Sequence, residues 1–207
     1  MTNISGLLID PNTLPGDRLK NNAGVARTQL AQTANAPLPI LPWQWRTWDT
    51  ALILPAAAAN DDLGNVPGTF GTNVYTLQAG DLKNAGATTR YALTHIAIPE
   101  YYDDAQTVTL RLRAGMETTV ASSSCTIDAV VYEMGDDGTP SADLCATSAQ
   151  DMNSLTEANL DFTITATSLV GGDVLECRVA IACNDSGTGT AVTPVLYKAT
   201  LLFDARG

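Results

Sequence analysis

Between residues 107 and 205, apolar side chains recur at every second position, and this alternation limits the fold more than any other feature. Val108, Leu110 and Leu112 alternate with Thr107, Thr109, Arg111 and Arg113. Cys125, Ile127, Ala129 and Val131 alternate with Thr126, Asp128, Val130 and Tyr132, and Leu175, Cys177, Val179 and Ile181 with Glu176, Arg178 and Ala180. Val195, Tyr197, Ala199, Leu201 and Phe203 repeat the pattern against Leu196, Lys198, Thr200, Leu202 and Asp204, while Phe162 and Ile164 stand among threonines. A period of two belongs to an extended strand with one face in a core and the other in water. Turn residues separate the segments, at Ala79-Gly80-Asp81, Ala114-Gly115, Gly135-Asp136-Asp137-Gly138, Gly171-Gly172-Asp173 and Asn184-Asp185-Ser186-Gly187. With segments near 70–77 and 88–98, about seven or eight strands result. The chain is expected to be all-β, an antiparallel β-sandwich of jelly-roll type. Apart from residues 141–158 and the N-terminal region, little of it reads as helix.

The first fifty residues read differently. Residues 1–16 are punctuated by Pro11 and Pro15-Gly16, and residues 17–34 carry a weak helical spacing interrupted by Asn21, Asn22 and Gly24. A proline run follows, with Pro37, Pro39 and Pro42, and then the chain's three tryptophans, Trp43, Trp45 and Trp48, within six residues. In an extended backbone Trp43 and Trp45 share a face and Trp48 takes the other. We expect an extended N-terminal arm over residues 1–50 and a sandwich body over 51–207. The arm is expected to be pinned in a groove of a β-domain, either its own or a neighbour's. Three buried indoles of about 200 Å² each are worth about 15 kcal/mol. Fixing about eight residues costs about 8–16 kcal/mol of backbone entropy. The terms nearly cancel, so the groove must cover both faces, and the prolines help by restricting the free chain.

Charge follows the same division. Residues 1–46 hold Arg18, Lys20, Arg27 and Arg46 against Asp10 and Asp17, whereas the remainder holds seven basic and twenty acidic residues within an overall charge of −11. An acidic body repels nucleic acid and anionic membranes, so neither is expected as a partner. The opening residues lack the cationic and apolar regions of a signal peptide, and Ala51–Ala59 is far too short to span a bilayer. A soluble protein made in the cytoplasm is expected.

Chemistry-bearing constellations are sparse. Cys125, Cys145, Cys177 and Cys183 lack metal-ligand spacing, and His95 is the sole histidine. Cys177 and Cys183 on one straight strand lie about 20 Å apart, beyond the roughly 7 Å reach of a disulfide. Reduced thiols are expected, with Cys125, Cys177 and Cys183 in the core. His95, with no flanking carboxylate, reads as a structural histidine rather than a general base. Asp61-Asp62, Asp103-Asp104 and Asp136-Asp137 match no calcium-loop spacing and read as solvated turns. No cofactor and no metal are expected. Tyr101-Tyr102, after Pro99, is either an exposed aromatic platform or a strand-end turn.

Four stretches carry a resemblance: DLKNAGATTRYA at 81–92, PEYY at 99–102, VTLRLRAGM at 108–116 and DLCATSAQ at 143–150. Over residues 45–207 the chain resembles β-rich virion structural proteins of tailed bacteriophages. The resemblance brings no catalytic motif. It implies a virion component, and head decoration (cement) proteins often pair a jelly-roll body with an extended arm. The leading expectation is a non-enzymatic capsid decoration protein on the capsid surface, a homotrimer bridging neighbouring copies of the major capsid protein. Pro37, Pro39, Pro42, Trp43, Trp45 and Trp48 would make that contact. The alternative is a carbohydrate- or receptor-binding β-sandwich module of a phage tail or fibre, which requires an exposed aromatic platform on the body. An enzyme built on His95 is the remotest reading.

Overall fold

Each segment with period-two alternation is a strand in the computed structural model, which describes residues 33–41, 44–47, 61–67, 71–72, 74–187 and 189–206. The strands are β1 (Thr33–Ile40), β2 (Arg46–Thr47), β3 (Gly64–Val66), β4 (Thr76–Gln78), β5 (Gly86–Ala97) and β6 (Val108–Met116). They continue with β7 (Ser124–Glu133), β8 (Gln150–Asp151), β9 (Ala158–Ile164), β10 (Val174–Asp185) and β11 (Pro194–Ala205). One sheet runs β3-β4-β11-β6-β9, with β1 also paired to β11, and the other runs β2-β5-β10-β7-β8. Counted from β4, the eight later strands stand in the orders 1-8-3-6 and 2-7-4-5. Successive strands thus change sheet at nearly every connection, and the chain wraps the core as a jelly roll. The strand-paired neighbours are antiparallel throughout.

The alternating apolar residues meet between the sheets. Val108, Leu110 and Leu112 from β6 face Cys177, Val179 and Ile181 from β10, with Phe162, Ile127, Leu201 and Phe203 among the buried residues around them. Residues 141–158 depart from the helical expectation. Residues 141–157 form an irregular connection containing only β8, β9 begins at Ala158, and no α-helix occurs among the described residues. Side-chain to backbone bonds hold this connection: Asp143 accepts the amides of Val131 and Cys145, and Asn153 exchanges bonds with Ala121. The turn-rich stretch at 60–68 likewise carries the short β3.

The N-terminal region enters the sandwich well before residue 50. Antiparallel to β11, β1 pairs Ala36 with Phe203, Leu38 with Leu201 and Ile40 with Ala199. Ala36, Leu38 and Ile40 turn inward, while Pro37 and Pro39 are exposed. Proline lacks an N–H, so it fits a ladder only at positions whose nitrogen faces away from the partner strand. Residues 37 and 39 share that parity, and β1 lies at a sheet edge. The weak helical spacing at 17–34 lies outside the described residues except at its end, where Thr33 and Ala34 belong to β1.

After Ile40 the chain crosses to the other sheet. The Gln44 amide bonds the Leu41 carbonyl at 2.9 Å, and Thr94 of β5 donates to the Gln44 carbonyl at 3.1 Å. Two residues later β2 pairs with β5. Trp45 stands on this crossing, 2% exposed and part of the hydrophobic core. The indole is sheltered by the chain's own sandwich and closes the space between its sheets. Trp45→Ala should cost about 3–5 kcal/mol, read as a lowered urea midpoint at constant slope. A loss below about 1 kcal/mol would contradict a plugging role.

Candidate functional site

Parity on the five-stranded sheet sends one residue in two to its outer face. Ala92 and Ile96 of β5 belong to the core, so by parity Tyr91, Leu93 and His95 lie on the outer side, where Leu93 is nonetheless buried at 5% exposure. From β10 the outward residues are Glu176, Arg178 and Ala180, and from β7 they are Asp128, Val130 and Tyr132. Register aligns them in three cross-strand rows: Tyr91–Ala180–Asp128, Leu93–Arg178–Val130 and His95–Glu176–Tyr132. Tyr91 and Tyr132 stand at opposite corners of this grid. Between them lies a shallow depression of about 110 Å³, with Ala180 and Val130 as apolar floor and Asp128 and Arg178 as polar lining.

One network spans the third row and the centre. Glu176 takes a hydrogen bond from the His95 ring at 2.9 Å through one carboxylate oxygen, and Arg178 donates to the other. The Arg178 guanidinium also lies 4.6 Å from the centre of the Tyr132 ring, a cation–π contact. Burial pushes the Glu176 carboxyl up, but the hydrogen bonds from His95 and Arg178 and the Arg178 charge together hold it below its ordinary value of 4.5. The carboxylate that orients His95 comes from the adjacent strand, 81 residues away. The described residues place no hydroxyl or thiol in hydrogen bond with His95, so no nucleophile–base pair forms there.

The outer face of the six-stranded sheet is built from ion pairs. Arg111 holds Asp161 through two bonds of 2.7 Å, and Arg113 holds Glu157 at 2.9 Å. The Arg111 bonds keep the Asp161 carboxyl below its usual range despite some burial. Lys198 and Pro37 border the same face, where a depression of about 300 Å³ opens.

Of the residues expected to bind a partner, Pro37 and Pro39 are exposed on β1. Trp45 is enclosed by its own domain and has no surface left to grip a neighbour. Pro42, Trp43 and Trp48 lie outside the described residues. The tyrosine pair separates. Tyr102 is fully buried, its hydroxyl bonded to the Gln106 carbonyl at 2.6 Å, while Tyr101 is 55% exposed against Phe203. Burial, with Asp104 nearby, raises the Tyr102 phenol to about 12.

Asp103, Asp104 and Asp137 are used within the fold, whereas Asp61 Oδ1 is buried without a hydrogen-bond partner. Asp137 accepts the Thr139 amide at 2.9 Å, Asp104 accepts the Gly171 amide at 3.2 Å, and both Asp103 and Asp104 pair with Arg206. Among the described residues, no three His, Cys, Asp or Glu side chains are placed to hold a metal ion. No described helix is long and apolar enough to cross a membrane. Periodicity marked the Tyr91, Tyr132 and Glu176 strands, but only register brings those residues together.

No family model and no curated protein matches the chain. Among solved structures it is similar to a xylan-binding module, CBM15, at 16% identity and a TM-score of 0.44, covering 82% of this chain and 97% of that one. It is also similar to the CBM61 module solved with β-1,4-galactotriose, at 10% identity and 0.37, covering 66% and 74%. A tailspike enzymatic domain of bacteriophage CBA120 matches at 11% and 0.36, covering 84% of this chain and 19% of that one. Likeness at these levels carries neither ligand nor activity across to this chain.

The Glu176 network gives a sign-defined test. A carboxyl lowered by folding adds stability above its unfolded value, and that stability is lost as pH falls through the folded value. Glu176→Gln should therefore cost stability near neutral pH, with the difference from wild type shrinking as pH falls below 4.5. Thermal unfolding across the acid range measures this; a gap that stays constant with pH would rule out the charged network.

Proposed function

We propose that this chain is a non-catalytic β-sandwich that binds carbohydrate on the outer face of its five-stranded sheet, as a receptor-recognition module of a phage tail or fibre. One observation carries the proposal: Tyr91 and Tyr132 bracket an apolar floor whose neighbours are a carboxylate and a guanidinium already fixed in place. A sugar ring presents C–H groups on its faces and hydroxyls around its edge. The C–H faces pack on aromatic and aliphatic surface, and the hydroxyls exchange bonds with charged, bidentate groups such as Asp128, Glu176 and Arg178. The depression holds only part of a ring, which suits a surface that reads one or two units of a longer glycan. The virion setting rests on the resemblance of residues 45–207 to tailed-phage proteins, and the sugar rests on the geometry.

Capsid decoration as a homotrimer on the major capsid protein is the second reading, and one observation favours it. Pro37 is exposed beside the 300 Å³ depression on the other sheet, next to Lys198. Its anchor would then be that face rather than Trp45. Occupancy on heads that falls with Lys198→Glu and ignores soluble glycan would support this reading over the first.

Screening the full chain on a glycan array, followed by titration calorimetry with the best oligosaccharide, tests the main proposal. Tyr132→Ala and Tyr91→Ala should each weaken binding by at least about tenfold, or about 1.4 kcal/mol, while far-ultraviolet circular dichroism stays unchanged. A blank array, or affinity indifferent to both substitutions, would overturn it.

A further inference from the structure

Cys125 on β7 and Cys183 on β10 are direct cross-strand partners. Both point into the core, at 0% and 2% exposure. The Cys125 carbonyl accepts the Met152 amide at 2.9 Å, on the side of the chain that leads to β8. In an antiparallel ladder a residue's N–H and C=O point the same way, so Cys125 turns both away from β10. The pair is therefore a non-hydrogen-bonded one, the type in which Cα atoms stand about 4.5 Å apart and side chains are nearest. That separation lies within the roughly 4.4–6.8 Å range of disulfides.

No other cysteine competes. Cys177 shares β10 with Cys183 six positions away and faces the same side, while the Cys145 thiol donates to the Thr147 carbonyl at 3.6 Å. The pair lies near an end of the sheet, since Cys125 is the second residue of β7 and Cys183 the third from last of β10.

We propose that Cys125 and Cys183 form a redox pair that closes to a cross-strand disulfide when a small-molecule disulfide such as oxidised glutathione is supplied. The Cys183 sulfur attacks the reagent, breaking its S–S bond, forming a mixed disulfide and releasing one thiol. The Cys125 sulfur then displaces the second thiol and forms the protein S–S bond. The two protons leave on the two released thiols, so the protein pair is oxidised and one reagent disulfide is reduced. The product and the balance are the same whichever of the two sulfurs attacks first. The bond staples β7 to β10 near one end of the five-stranded sheet and is independent of sugar binding.

Refolding the full chain in a glutathione redox buffer, followed by peptide mapping without reduction, tests the pair. The expected product is one linked species joining the Cys125 and Cys183 peptides, with Cys145 and Cys177 free. Closing a loop of that length should raise the thermal midpoint by about 5–10 °C over the reduced protein, and Cys125→Ala should abolish the difference. Because Cys125→Ala could itself unfold a buried site, the oxidised and reduced wild-type proteins provide the primary comparison. Linkage through another cysteine, no linkage after refolding, or a lowered midpoint in the linked protein would each overturn the proposal.

Discussion

Strand β11 is twelve residues long, and β4 covers only the start of one of its edges. An uncovered edge in this position would leave inward-facing Ala199, Leu201 and Phe203 without their lateral neighbours and expose a row of backbone donors and acceptors. The chain solves this with a segment from far upstream. Ile40 pairs with Ala199 and Thr33 with Ala205, so β1 and β4 share one lane end to end, both antiparallel to β11. The register of β11 against β6 shifts between Leu196 and Lys198, at the junction of the two segments. From this lane the chain must cross to the other sheet, because β2 pairs with β5 there, and Trp45 fills the crossing. The edge strand, the crossing and the plug are consequences of one unsatisfied edge.

This explains why strand content was readable and the arm was not. Alternation at Val108–Leu112 or Leu175–Ile181 reports which side of a strand is apolar, and burial follows that parity residue by residue. The prolines at 37 and 39 read as arm because proline is rare in sheets, yet their shared parity is what permits an edge strand. Trp45 is buried, and the cluster in the sequence does not name what buries it. The 141–158 segment reads as helical, but its polar side chains bind backbone groups of β7 and of the β6–β7 connection instead. Tyr101 and Tyr102 show the limit most plainly: adjacent in sequence, one is solvent-facing and the other has no exposed surface.

The site was legible only in part, for a geometric reason. Periodicity assigns Tyr91, Glu176 and Tyr132 to the outer sides of three strands, but not their order across the sheet or their alignment along it. Sheet order is 5-10-7, a consequence of the jelly-roll wrap, and it seats β10 between strands that are distant in sequence. Glu176 therefore meets His95 from 81 residues away, and Cys183 meets Cys125. A one-residue slip in either ladder would turn these residues to the opposite face.

The two outer faces then differ in what they leave available. On the six-stranded sheet Arg111 and Arg113 spend their donors on Asp161 and Glu157, side chains long enough to reach across strands and neutralise one another. On the five-stranded sheet the central charges are also paired, but through a single carboxylate shared by His95 and Arg178, with Tyr132 beneath the guanidinium. That arrangement fixes ring and guanidinium in place, so the proposed binding would cost little further side-chain freedom. It rests on β5 and β10, paired in register over all twelve residues of each. A platform built on continuous ladders holds its groups more closely than one on loops. The proposed function depends on that rigidity: the jelly-roll order assembles the grid, and the unbroken ladder holds its groups in register.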